Sequence, residues 1–371
     1  MSLEATTDLR RTPLHAVHLA LGARMVPFAG WEMPVQYASI LDEHRTVRGA
    51  VGLFDLSHMG ELHVSGPQGL EFLRYAVISD PARLAPGQAQ YSMLCAPDGG
   101  IVDDLIIYRV DDGYLVVCNA ANRAADVAHL RALLDTTGMD AVLDDRSDAT
   151  ALVAPQGPRA AELLKTLTDA DVDGLGYYHC MPGSVAGIGC LIARTGYTGE
   201  DGFELFCDPG EAEALWHAVR EAGEPFGIKP CGLGSRDTLR LEAGMPLYGN
   251  ELDLGTNPYE VNMGRVVKLD KGAFNGSEAL ARIADAGPGR RLVGLVMREN
   301  AVPRHGYPVL VDGVEAGAIT SGTASATLGE KIAMAFVPAD RAAVGAMVEV
   351  VVRDRPYRAE QVALPFYKRP R

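Results

Sequence analysis

The strongest constraint on the fold is a change of pattern at residues 284–291, ADAGPGRR. Before it, apolar residues recur at both helical and strand spacings. After it, the apolar runs RLVGLVM, YPVLVDG, GAITSG, KIAMAFV and MVEVVVRD read as short strands between turns. A chain of 371 residues is also too long for one ordinary core. The Gly-Pro-Gly stretch therefore reads as a linker between a larger part, residues 1–284, and a small barrel or sandwich, residues 285–371.

Within the larger part, residues 39–50 and 67–77 read as helices, with Pro67 suited to a first turn. Strands are expected at 90–95, 101–110 and 114–118. An amphipathic helix over 121–136 puts Val127, Leu130 and Leu134 on one face. Strand, helix and strand recur near 150–154, 158–168 and 189–195. The segments 189–195 and 202–207 flank GYTGEDG as a hairpin, and helices fit 210–222 and 235–243. Hairpins among alternating strands and helices point to α+β layers rather than one parallel sheet.

Charge and cysteines exclude several functions. The net charge of -14 argues against a nucleic-acid partner, since phosphate neutralisation needs a basic surface. Residues 285–371, with 12 Lys+Arg against 9 Asp+Glu, could offer a mildly basic surface to an acidic partner, although scatter among solvated side chains is the favoured account. The six cysteines form no CxxC pair and sit mostly in apolar stretches, so no disulfide framework or metal site is expected, and a reducing cytoplasm is the simplest compartment. The start, MSLEATTDLRRTPL, lacks the apolar core of a secretory signal. No stretch reaches the ~18 apolar residues that span a bilayer.

Four segments could carry chemistry. In GGIVDDLIIYRV, strand alternation puts Asp103 with Leu105 and Ile107, and Asp104 with Val102, Ile106 and Tyr108. A carboxylate in so apolar a strand is costly unless it is paired or used. For an isolated Asp-Asp pair, facing water or capping the Gly99-Gly100 turn is the commoner role. Asn119 ends the next strand, as a turn residue or a polar contact at a pocket mouth, and Asn122 suits a helix cap. Glu204, between Phe203 and Leu205, reads on local grounds as solvent-facing. Ser235 or Asp237 can cap the last helix. Arg236 in its first turn opposes the helix dipole, a small argument for a specific role, whereas Arg240 and Glu242 read as surface or ion-pair residues. There is no P-loop, no dinucleotide-binding GxGxxG and no GxSxG elbow, and His15, His18 and His58 show no metal-ligand spacing.

Taken together, PFAGWEMPVQY, VGLFDLSHMGE, GGIVDDLIIY, CNAAN, ALVAPQGP, RTGYTGEDGFE, GLGSRDTLRLEAGMPLYGNEL, NPYE, VVKL and ITSG resemble the aminomethyltransferase (T protein) family of the glycine cleavage system. The match runs in order from about residue 11 to the end. It implies two interleaved α+β domains around a folate pocket, approximately 1–50 with 145–284 and 51–144, followed by a C-terminal β-barrel. It also implies a reaction: the methylene of an aminomethyl group on the lipoyl arm of H protein passes to tetrahydrofolate, releasing ammonia and leaving the dihydrolipoyl arm.

The resemblance places the critical carboxylate on Asp104. It assigns folate contacts to Met59, Tyr91, Tyr108, Asn119, Tyr197, Glu204 and Arg236, with Glu204 accepting from the pterin amino and ring N–H groups. It gives PFYKRPR no ligand role. Relatives that put a reactive Cys in a KGCYxGQ-like segment differ here, because this chain has RTGYTGEDG. A non-catalytic folate-binding relative, or another folate-dependent one-carbon transferase, is the alternative reading.

Overall fold

The computed structural model describes residues 9–370. The first eight residues of MSLEATTDLRRTPL, where no secretory signal is expected, therefore lie outside the described residues, as does Arg371.

Two sheets form the larger part. One has five antiparallel strands in the order Ala89–Cys95, Ile101–Val110, Gly113–Cys118, Gly60–Ser65, Val142–Asp145. The other has six in the order Cys180–Val185, Ile188–Ala193, Glu204–Cys207, Ala151–Gln156, Gly52–Asp55, Lys229–Pro230. The chain passes from the second sheet to the first between Asp55 and Gly60, later than the expected boundary at residue 50, because Gly52–Asp55 pairs with Ala151–Gln156.

The sheets pack face to face. Phe54, Leu152, Ala193 and Phe206 from one meet Ala89, Tyr108 and Val117 from the other. Each outer face is closed by helices. Phe72, Leu73, Val127 and Leu130 of Gly69–Ala76 and Arg123–Thr137 cover the five-stranded sheet. Leu163, Leu215 and Trp216 of Ala160–Leu164 and Ala212–Ala222 cover the six-stranded one. Each large apolar side chain removed from water contributes about 1.5–3 kcal/mol. The Ile40–Gly49 helix begins as its sequence dictates: Ser39 Oγ accepts from Asp42 N, and Asp42 and Glu43 complement the dipole.

The linker is shorter than the sequence suggests. The helix Ser277–Ala286 runs into it, Gly287 ends that helix at φ 78°, and the next strand begins at Arg290. The remaining residues form a closed barrel in the order Arg290–Met297, Lys331–Pro338, Val314–Ala324, Pro308–Val311, Met347–Val352, Arg355–Val362. The strand Arg355–Val362, RPYRAEQV, is not among those expected from the sequence. Only Ala359 and Gln361 are buried there, so it carries no apolar run. The barrel docks on the five-stranded sheet, where Leu292, Val296 and Met334 share a core with Met93 and Ile101. Among the described residues no helix is long and apolar enough to cross a membrane.

The helix expected from Pro67 begins at Gly69 instead. The helix His15–Ala20 and the hairpin Arg24–Phe28 with Trp31–Gln36 add to the expected elements.

Candidate active site

The Ile101–Val110 strand lies between two neighbours and alternates as its sequence requires. Asp103, Leu105 and Ile107 are buried toward the helices, while Asp104 and Ile106 keep partial exposure on the face toward the other sheet; Val102, at the start of the strand, departs from the alternation and packs against the helix-side core. The turn before it is fixed by other residues. Gly99 adopts φ 93°, a Cβ on Gly100 would meet the Leu254 carbonyl oxygen at 2.1 Å, and Asp98 Oδ1 accepts from Gly100 N. Neither Asp103 nor Asp104 caps that turn.

Asp104 is held from two neighbouring strands. Tyr91 Oη donates to Oδ2 at 3.0 Å, and Asn119 Nδ2 donates to Oδ1 at 2.8 Å. Burial, and next the charge of Asp103, push its carboxyl up to about 7 against these two bonds. A carboxyl that gains and loses its proton near neutral pH suits proton transfer.

Asp103 points through the sheet. It accepts from Asn119 N at 2.9 Å, Asn119 Nδ2 at 2.8 Å and Asn122 Nδ2 at 2.7 Å. Asn122 thus occupies the helix N-cap position, but its amide goes to Asp103 rather than to a backbone N–H. Asn119 joins both aspartates.

Tyr108, four residues beyond Asp104 on the same face, lies roughly 13 Å farther along the strand. Its hydroxyl donates to Glu204 Oε2 at 3.2 Å and meets Thr195 Oγ1 at 2.9 Å. Thr195 also donates to the same Glu204 oxygen. Glu204 is buried, contrary to its local reading, because it shares a strand face with Phe206, which packs edge-on to Tyr108. Both bonds fall on Oε2, and Oε1 accepts none among the described residues.

Tyr197 and Arg236 form a third group. Tyr197 donates to the Pro246 carbonyl, and the Arg236 guanidinium lies 4.8 Å from the Tyr197 ring centre. Arg236 has no ion pair among the described residues, and burial lowers its proton affinity. Its helix, Leu233–Glu242, starts from Gly232 rather than from a capping side chain: Ser235 Oγ donates to the Gly232 carbonyl, and Asp237 pairs with Arg240. Arg240 and Glu242 are ion-paired as expected, but buried: Arg240 with Glu251, Glu242 with Arg48 and His44. Met59 packs on Tyr108, Val117 and Ile106 where the chain crosses between sheets.

The RTGYTGEDG hairpin is braced from below. Gln156 Nε2 donates to the carbonyls of Thr195 and Phe203, and a Cβ on Gly196 would meet Gln156 Oε1 at 2.0 Å. Arg194 makes a bidentate pair with Asp201. The C-terminal segment returns to this hairpin: Tyr367 N donates to the Glu242 carbonyl, and Arg369 pairs with Asp201 at 3.4 Å.

The expected residues thus form three local groups: Asp104 with Tyr91 and Asn119, Tyr108 with Glu204, and Tyr197 with Arg236. Sequence reasoning does not single out Thr195, Asn122 or Asp126 as participants. Thr195 sits inside the RTGYTGEDG match, its one available signal. His18 bonds Asp55 and Tyr37, and His58, buried and pushed down to about 4 by burial, packs on Phe28.

Residues 14–271 match the GCVT N-terminal domain, and residues 290–368 match the glycine cleavage T-protein C-terminal barrel domain. The chain belongs to the glycine cleavage T-protein family. Among T-protein relatives, an aminomethyltransferase of Streptomyces avermitilis is 55% identical over 97% of this chain and 98% of its own length. One from Moorella thermoacetica is 49% identical over 98% and 99%. The crystal structure of the glycine cleavage system aminomethyltransferase T from Bartonella henselae superposes with a TM-score of 0.91 at 34% identity, covering 98% of this chain and 99% of that one.

Proposed function

We propose that this chain is the glycine cleavage aminomethyltransferase, moving the methylene of an aminomethyl-lipoyl arm on H protein to tetrahydrofolate. The products are 5,10-methylenetetrahydrofolate, ammonia and dihydrolipoyl H protein. The observation that carries the reading is Asp104, a partly exposed carboxyl held between Tyr91 and Asn119 with its proton affinity near neutral.

The other groups fit a folate. A pterin presents N–H donors, and Glu204 Oε1 is an acceptor without a donor of its own among the described residues. The glutamyl tail is anionic, and Arg236 is a cation without an ion pair among those residues. Tyr91, Tyr108 and Tyr197 supply ring faces and edges. When ammonia leaves the aminomethyl carbon, positive charge develops there. A folate nitrogen then attacks and gives up its proton, and the second folate nitrogen closes the methylene bridge as the C–S bond breaks and the sulfur leaves as the thiol of the dihydrolipoyl arm. Ionised Asp104 stabilises that charge and receives the proton. No covalent role falls to the protein. The reading includes the two interleaved units, with their first crossing at Asp55–Gly60 in place of residue 50, followed by the barrel, and a cytoplasmic location.

The test is incubation of the purified protein with aminomethylated H protein and tetrahydrofolate. Folate-dependent release of ammonia with formation of methylenetetrahydrofolate is expected, and its absence would refute the reading.

A further inference from the structure

Asp126, on the helix that covers the five-stranded sheet, is fully buried, and neither carboxyl oxygen accepts a hydrogen bond among the described residues. Asp103, also fully buried, accepts three. An oxygen of each carboxyl and Cys118 Sγ lie within 4.8 Å of one another.

The groups facing this cluster offer no cation. The Gly113–Cys118 strand contributes Cys118, the Gly60–Ser65 strand Glu61, the Asp103 strand Asp104, and the loop after Gly244 Tyr248. Arg123, on the same helix as Asp126, is paired with Asp145 and Asp148. Two adjacent carboxylates cannot both be ionised in such a layer. The one with three N–H donors keeps the charge, and the one with none keeps the proton.

We propose that Asp103 and Asp126 share one proton on the helix-covered face of the sheet, and that this pair positions Asn119 and through it Asp104. Asp126 donates its O–H to Asp103. Asp103 holds the Asn119 amide, whose Nδ2 reaches Asp104 on the opposite face. The remaining charge on Asp103 favours the protonated form of Asp104. The phenols near Asp104, those of Tyr91, Tyr178, Tyr197 and Tyr248, are all pushed upward by burial and stay neutral, so Asp103 is the nearby anion that matters.

The kinetic arm of the test rests on the transferase reading, and a spectroscopic arm does not. In Asp126→Leu, turnover is expected to fall at least about tenfold, and Asp126→Asn, which keeps an N–H donor, to recover most of that loss. In Asp103→Asn, the acid limb of the rate profile is expected to move down by about one pH unit, because a neighbouring negative charge is gone. Independently of turnover, the infrared difference spectrum of wild type minus Asp126→Asn at pH 8.5, above the range in which Asp104 holds its proton, is expected to show a protonated-carboxyl stretch. A spectrum without that band would overturn the shared proton even if the enzyme turned over normally. Equal rates and an unmoved profile in all three folded variants would overturn the positioning role. A divalent ion retained by the wild type and lost in Asp126→Asn would overturn both, making the cluster a metal site.

Discussion

The Tyr108 hydroxyl lies 3.2 Å from Glu204 Oε2 and ties the two sheets together across the core between them. With Thr195 bonded to the same oxygen, Glu204 is fixed in place while Oε1 remains available to a ligand. Glu204→Ala should therefore weaken tetrahydrofolate binding by about 10-fold or more, since hydrogen bonds to charged groups contribute ~1.5–3 kcal/mol. Calorimetric titration checks this, and unchanged affinity would remove Glu204 from the binding site.

Asp104→Asn keeps the size of the side chain but not its proton chemistry. Turnover should drop by about 10²–10⁴-fold, the range expected for loss of a general acid–base group. Folate-dependent ammonia release measures it. Near-normal turnover would move the chemistry elsewhere.

The same substitution should stabilise the fold at alkaline pH. The Asp104 carboxyl sits at about 7 when folded, above its ordinary value near 4. The folded state therefore binds the extra proton in that window, and stability falls as pH rises through it. At pH 8 the Asn variant should melt about 2–4 °C above wild type. At about pH 4, where the unfolded carboxyl also takes up its proton, the difference should close. A constant offset across both pH values would show that packing, not ionisation, sets it.

Arg48 is the buried hub beneath the hairpin. It pairs with Glu200 and Glu242 at 2.9 Å each, and the Tyr367 ring lies 4.0 Å away. Burial alone would raise Glu242, but His44 and the hydroxyls around it bring it down to about 2, so its carboxylate stays charged above that pH. Arg48→Met strands Glu200 and leaves Glu242 with His44 as its one charged partner among the described residues, and should cost about 3–5 kcal/mol in denaturant unfolding. A loss below about 1 kcal/mol would mean the carboxylates find other partners.

Alternation makes the opposite facings of Asp104 and Asp103 legible in the residue order alone, because a strand of period 2 admits no other placement. The same local logic misplaces Glu204, since nothing adjacent to it reveals that a second sheet covers its face. Asn122 misleads for a related reason: its helix-cap position is local, but its partner, Asp103, comes from another strand. The barrel is recognisable from its apolar strands, and only the mostly polar RPYRAEQV escapes. Family motifs supply what pattern cannot, an expected role for Tyr91, Asn119, Tyr197 and Arg236, which lie far apart along the chain.

The return of Tyr367 and Arg369 to Glu242 and Asp201 has a consequence for synthesis. The hairpin carrying Thr195 and Tyr197 is made well before the residues that clamp it. A ribosome that stops short of residue 367 releases a chain with both sheets and most of the barrel, but with the hairpin unlatched.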